Sequence, residues 1–440
     1  MPPAAPPKDS RLYAPTENPR LPPVFSRYHE HELQLPQHNL STPHPEGLNG
    51  RYLWIAPDEA RESGWGTFMQ EVLLNSYLAY RSHRSFVFDN YTWNEDGWLD
   101  YVLYTGRPSS AQIPLSAVIR GPIVGEPFAN ESAQSPRAVN REFWHKVCPN
   151  PRIINRKDVL AAVGSRPTAQ TLIDKWVELL DSADDPCVEV PRLPTTIFDA
   201  QLFGDGQRLL DAWPSFSKSP MLTELGWSPL VELAFDTNRE IISPSRALEP
   251  YLSSQPFAPG GARYAPLPGL LVLHVRRGTF QSYCTRLATA GAGFHGYNAF
   301  AALPDRLDAG LALHSTAERR VRAYRPHCFP SVREIVRRVE EVRRSDAGRG
   351  LRDIYVMTNA QTPWVTELKA ALRQAGGWEN VASSRDLLVN REQKYVKQAL
   401  DVLIGQRAQV FVGNGFSTLS GQVVMLRMAN GVPPETNRFW

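Results

Sequence analysis

No run of about 18 apolar residues occurs in the 440-residue chain, which excludes a membrane-spanning helix. The opening segment, "MPPAAPPKDSRLYAP", lacks the charged-then-apolar order of a signal peptide. That leaves a cytosolic chain, or one whose anchor is encoded further upstream. Cysteine is scarce. Cys148, Cys187, Cys284 and Cys328 show no CxxC spacing, so a zinc site is not expected. Two disulfides and four free thiols both remain open, with Cys284 and Cys328 the first pair to consider. An excess of one sign of charge is nearly absent: 48 Lys and Arg oppose 45 Asp and Glu, and a net +3 does not indicate nucleic acid. Neither GxxxxGK[ST] nor GxSxG occurs, which removes a P-loop and a hydrolase elbow. No DxD triplet lies between apolar runs, so no diphosphate held through a divalent metal is expected.

What is present is ordinary globular composition and enough length for two domains of roughly 200 residues. Residues 1–48 hold eleven prolines and no apolar period, and read as an extended tail. Within them "YHEHEL" (28–33) reads as a surface loop rather than a metal motif. "GRYLWIAP", the turn "ESGWGTF" (62–68), a helical pattern and "SFVFDNY" make a βαβ unit. Weaker segments continue to about 250. The Pro- and Gly-rich stretch 253–269 then reads as a linker between an acceptor-side unit, 49–255, and a nucleotide-binding unit, 265–440.

The second unit alternates cleanly. "LLVLHV" (270–275), "DIYVMTN" and "AQVFVGN" are strands, separated by helices, which gives a doubly wound α/β sheet. The Arg-rich run 332–352 interleaves Glu and Asp, the pattern of a solvated, ion-paired helix face. "GAGFHG" (291–296) fits GxGxxG by letter, but no strand precedes it.

"HVRRG" and "GNGFSTLSG" both fall at strand carboxyl ends, where such sheets bind ligands. A guanidinium there matches phosphate oxygens bidentately, so Arg276 would neutralise charge on a leaving diphosphate. His274 shares its face and would reach a base or ribose, while Arg277 points to the other face. Gly278 allows close backbone approach. Ser417 and Thr418, after the Asn414 turn, stand at a helix start; anion cradle and plain N-cap are both open. Glu62 and Glu71 flank the first Gly-rich turn as candidates for the general base.

"HVRRG" after a buried strand, "SGWG" before the first helix, and "FVGNGFST" together resemble the GDP-fucose fucosyltransferase superfamily, the protein O-fucosyltransferases and their α1,6 relatives. "QEVLLNSYLAY", "IYVMTN" and the stretch 384–417 resemble its fungal O-fucosyltransferase-like group. The resemblance covers roughly residues 50–430. It implies two Rossmann-like domains facing a cleft (GT-B type), with inverting, metal-independent transfer of fucose from GDP-fucose to a hydroxyl. The implied acceptor is Ser or Thr of a protein. The alternatives are another nucleotide sugar, a glycan or small-molecule acceptor, or a silent GDP-sugar-binding protein. By the same resemblance Arg276 holds the β-phosphate, Ser417 and Thr418 bind phosphates, and His274 and Asp401 lie near guanosine. Gly64, Trp65 and Gly66 face fucose and acceptor. No cofactor or metal is implied, and the compartment is the ER or Golgi lumen. The chain departs from the pattern at Gly66, where the family places Asn, at Thr279, where it often has Asp, and at Leu419, where it often has an aromatic.

Overall fold

Two five-stranded parallel sheets organise the chain in the computed structural model, which describes residues 21–440 apart from 57–63, 94–100, 105–106, 130–134, 193–195, 245–249, 259, 261, 309 and 311–315. The first contains β1 (Tyr52–Ile55), β2 (Ser85–Phe88), β3 (Val139–Asn140), β4 (Arg152–Ile153) and β5 (Cys187–Val190), in the order β3-β2-β1-β5-β4. The second contains β6 (Leu267–Val275), β7 (Asp353–Thr358), β8 (Asn380–Ser383), β9 (Ala408–Gly413) and β10 (Asn437–Phe439), in the order β8-β7-β6-β9-β10. Each sheet grows outward on both sides of its first strand. The winding therefore reverses beside β1 and between β6 and β9, and crevices open at such points.

The helices that matter for the site are α1 (Ser26–Leu33), α2 (Trp65–Arg81), α3 (Arg141–Val147), α4 (Ala169–Ser182), α5 (Pro229–Thr237), α6 (Phe280–Ala290), α7 (Ala317–Cys328), α8 (Val332–Arg343), α9 (Thr362–Ala375), α10 (Lys397–Gln406) and α11 (Thr418–Ala429). Strand β6 is apolar from Leu270 to Leu273 because both faces are covered. Leu271, Leu273 and Val275 pack with Ile335 and Val339 of α8 and Leu368 of α9. Leu270 and Val272 belong instead to the cluster holding Leu403 of α10 and Val424 of α11. Helix α2 is buried on nearly every side, since it lies between the first sheet and α11. One apolar cluster runs from Phe25 through both sheets to Phe439.

Three expectations change on inspection. Of the tail, residues 1–20 lie outside the described residues, but 26–33 form α1, so "YHEHEL" is helical rather than loop. Phe25 is fully buried, and Gln37 Nε2 donates to Gly125 O at 3.0 Å and Ala138 O at 2.6 Å. Glu32 accepts from Ser116 N at 2.9 Å. Proline richness hid a segment whose few apolar side chains reach the core. The stretch 253–269 is likewise not a free linker. Arg263 forms a two-point ion pair with Glu232, 2.7 Å at each contact, Tyr264 donates to the same carboxylate at 2.8 Å, and β6 already starts at Leu267.

The run 332–352 is ion-paired as its pattern indicated, with Arg338–Glu341 at 3.2 Å, Arg337–Glu341 at 3.7 Å and Arg349–Asp346 at 2.9 Å. The cysteines form Cys148–Cys187 and Cys284–Cys328, and the second bridge ties α6 to the end of α7. Among the described residues no helix is long and apolar enough to cross a membrane.

Candidate functional site

The reversal point of the second sheet, between β6 and β9, brings the two singled-out motifs together. Alternation along β6 puts His274 on the face covered by α10 and α11. Its Nδ1 lies 2.7 Å from Ser420 Oγ, in the first turn of α11. Ser420 Oγ also accepts from Asn414 N at 2.9 Å, which fixes the hydroxyl between the loop and the ring. Burial, reinforced by the neighbouring Arg276 charge, pushes the His274 pKa down to about 3. The imidazole is neutral at physiological pH.

Arg276 follows on the same face, half-buried, with its guanidinium carbon 5.2 Å from the ring centre of Phe280 at the start of α6. Gly278 turns the chain with φ of +65°, which favours glycine. Asn359, just past β7, locks this turn: its Oδ1 accepts from Arg277 N at 2.8 Å and its Nδ2 donates to Arg277 O at 3.1 Å. Arg277 turns to the opposite face from Arg276. Its guanidinium lies 3.9 Å from the Trp364 ring centre and 4.5 Å from that of Phe329, and donates to Pro330 O. Burial lowers its pKa to about 10. The odd residue at the strand end faces α8 and α9, so Arg277 anchors the strand instead.

The loop after β9 is held by its surroundings. Asn414 spends its amide on scaffolding, donating to Cys328 O at 2.7 Å and accepting from Phe416 N at 3.0 Å. Asn298 Nδ2 donates to Gly415 O at 3.1 Å and Ser417 O at 3.0 Å, and His295 N donates to Gly415 O at 2.8 Å. Ser417 occupies the N-cap position of α11, yet its side chain makes no capping bond. It is 7 % exposed. A buried hydroxyl at a helix start, not consumed by the cap, is available to an anion.

The start of α2 meets the start of α11. Thr67 Oγ1 donates to Thr418 Oγ1 at 3.1 Å, and Gln70 Nε2 bridges Gly66 O at 2.9 Å and Thr418 O at 2.7 Å. A Cβ on Gly66 would stand 2.5 Å from Leu419 N and 2.6 Å from Thr418 C. Close approach of backbone therefore requires glycine there, and no amide side chain fits. Gly64 is exposed with open space around it, while Trp65 is buried beside Tyr91. The turn thus supplies a helix junction rather than a wall of side chains.

Asp401 lies on α10 and reaches β7. Tyr355 donates to its Oδ1 at 2.6 Å, and Ser384 Oγ stands 2.9 and 3.0 Å from its two oxygens. Burial raises its pKa to about 6, against the lowering effect of those bonds and of Lys397 and Arg385. Tyr355 pairs in register with Val272, two residues before His274, so this carboxyl sits deeper along the sheet than His274. Glu71 is buried within α2 with both oxygens sealed from solvent, which leaves no surface for meeting a substrate hydroxyl. Glu62 lies outside the described residues.

Sequence reading missed Ser420, Asn298, Gln70 and Asn359. Ser420, Asn359 and Gln70 each lie within or beside a motif already noted, whereas Asn298 does not. Among the described residues no group of three or more His, Cys, Asp or Glu could hold a metal ion.

No protein-family model matches the chain, and no curated protein matches it either. Solved structures do. A structure of POFUT1 in complex with GDP-fucose (crystal form II) aligns over 89% of this chain and 98% of that one, with TM-score 0.50 and 15% identity. A second crystal form of the same complex aligns over 90% and 99%, with TM-score 0.49 and 15% identity. At this identity the likeness is one of fold.

Proposed function

We propose that the chain transfers fucose from GDP-fucose to a hydroxyl, Ser or Thr of a polypeptide being the acceptor class, with inversion and without a metal. In this reading residues 265–440 are a donor-binding unit and 49–255 an acceptor-side unit, two Rossmann-like domains in GT-B arrangement. The chain groups with the fungal O-fucosyltransferase-like branch, and its two disulfides suit an oxidising lumen such as the ER or Golgi. The carrying observation is the contact of His274 with Ser420 in the first turn of α11, the helix whose N-cap hydroxyl, Ser417, makes no capping bond, with Arg276 next on the same face of β6. POFUT1, which holds GDP-fucose in its solved structures and shares this fold, supports placing a diphosphate there.

The chemistry follows from charge. The bond from the fucose anomeric carbon to the β-phosphate oxygen breaks, and the oxygen keeps the electron pair. Arg276 and the α11 helix start stabilise that negative charge as it develops. The acceptor oxygen attacks the anomeric carbon from the opposite face, forming the new C–O bond, and its proton passes to solvent water. The neutral His274 imidazole and Asp401 recognise the nucleoside. Positioning supplies much of the rate in such a displacement, so a strong base is not required.

A second reading, a GDP-sugar-binding protein without turnover, is favoured by one observation: Gly66 and Thr67 lie directly on Thr418 and Leu419, closing the junction from the α2 side. Calorimetric titration of GDP in EDTA tests donor binding, with UDP and ADP as controls. Guanine-selective binding that weakens by about 2–4 kcal/mol in Arg276→Ala is expected. Unselective binding, or no effect of the substitution, would remove the donor reading. Release of fucose or its transfer to a Ser/Thr peptide from bound GDP-fucose separates enzyme from binder.

A further inference from the structure

The arginines around α7 and α8 are of two kinds. Within α8 they pair with carboxylates of their own helix, as Arg338 does with Glu341 at 3.2 Å. Before it they do not. From residue 318 to 333 five arginines stand against one glutamate, a local excess of four where the whole chain carries +3. Arg319, Arg322, Arg325 and Arg333 are exposed and make no ion pair with any described residue. The first three recur every third residue of α7, about 4.5 Å apart along its axis.

This row ends in a pocket of about 390 Å³ between the starts of α8 and α9. Arg325 and Arg333 line it. Arg277 lines it too, already held against Trp364 and by Pro330 O, so it adds charge more than a free fork. Among the described residues the lining carries one carboxylate, that of the exposed Glu367. Glu334, in the first turn of α8, is turned back onto Ser331 N and Oγ, each at 2.7 Å, in the helix cap. Arg277 faces away from Arg276, so the pocket lies across the sheet from the crevice of His274 and Arg276.

We propose that this pocket and the arginine row bind a sulfated oligosaccharide, with one sulfate group in the pocket and others along α7. Three guanidinium groups around one space suit a tetrahedral oxyanion, whose three terminal oxygens accept from more than one arginine, where a carboxylate offers two. The single arginines that follow along α7 call for a ligand that repeats its charge. Sulfate rather than a nucleic-acid phosphate follows from the two disulfides, which suit an oxidising compartment. The inference rests on the proposed function for that compartment alone, and not for the donor site.

The test is fluorescence anisotropy at low salt with a labelled heparin octasaccharide. An unsulfated heparosan octasaccharide, an oligothymidylate and an octaglutamate peptide serve as comparators. Wild type should bind heparin best, and Arg325→Glu/Arg333→Glu should bind it about tenfold more weakly. Arg319→Ala/Arg322→Ala, at exposed positions, is a milder variant with an expected loss of a fewfold. Arg344→Glu/Arg349→Glu makes the same charge change at positions already paired with Glu340 and Asp346, and should stay within about twofold of wild type. No heparin binding, equal or tighter binding of any comparator, or equal losses in the two charge-reversed variants would overturn the proposal. GDP titration on the same samples reports separately on the donor reading, because the substituted arginines lie outside the crevice.

Discussion

Gly66→Ala is the substitution whose outcome the geometry constrains best. The new Cβ would lie 2.5 Å from Leu419 N, 2.6 Å from Thr418 C and 2.7 Å from Leu419 Cα. All three are backbone atoms, so no side chain can swing aside. Non-bonded contacts of this kind settle near 3.5 Å or more, and the starts of α2 and α11 must part by roughly 1 Å. That displacement stretches the Gln70–Thr418 bond at 2.7 Å and the Thr67–Thr418 bond at 3.1 Å. Losing both costs about 2 kcal/mol, and residual overpacking adds about 1–3 kcal/mol. Higher helix propensity of alanine returns at most about 1 kcal/mol. The expected net loss is about 2–4 kcal/mol, read as a lower urea midpoint with an unchanged m-value. GDP affinity should fall too, since α11 carries Ser417. Gly293→Ala is the control: it has open space and no positive φ, so a change within about 0.5 kcal/mol is expected. If Gly66→Ala behaves like Gly293→Ala, the two helix starts do not meet as described.

Other outcomes follow from the same reasoning. Arg277→Met should destabilise the fold by about 1–3 kcal/mol while leaving GDP affinity within about twofold, because the lost contacts are to Trp364, Phe329 and Pro330 O; a selective loss of GDP binding would restore Arg277 to the donor site. His274 is held neutral with its pKa near 3, below its unfolded value of 6.5, so the unfolded state binds the extra proton between those limits. Stability should therefore fall as pH drops below 6.5, partly offset by Asp401, whose raised pKa of about 6 acts in the opposite sense from about 4 to 6. His274→Gln should flatten the acid limb of urea midpoints measured from pH 7.5 to 4.5, and an unchanged limb would contradict the assignment. Each disulfide closes a loop of roughly 40 residues, worth about 4 kcal/mol by chain entropy, so Cys284→Ser/Cys328→Ser should lower the urea midpoint clearly.

Periodicity was most informative where both faces of a strand are covered. "LLVLHV", "DIYVMTN" and "AQVFVGN" have continuous apolar centres because helices lie on either side, and each forms its strand in the second sheet. The first sheet was harder to see. Its outer strands, Val139–Asn140 and Arg152–Ile153, are two residues long and carry no detectable period. The N-terminal segment misled for a related reason: prolines dominate its composition, while its burial depends on a few residues such as Phe25 and Gln37.

The sequence alone determined the α/β alternation, the placement of "HVRRG" and "GNGFST" at strand carboxyl ends, and the opposed faces of Arg276 and Arg277. These follow from residue type and local period, which chain neighbours suffice to set. Only the tertiary structure decided which groups remain free for chemistry. Asn414 and Arg277 are consumed by partners 86 and 53 residues away, while the Ser417 hydroxyl makes no capping bond. Gly66 is glycine because a helix start some 350 residues later presses against it. Such contacts depend on where distant elements meet in space, and no local pattern in the chain encodes that.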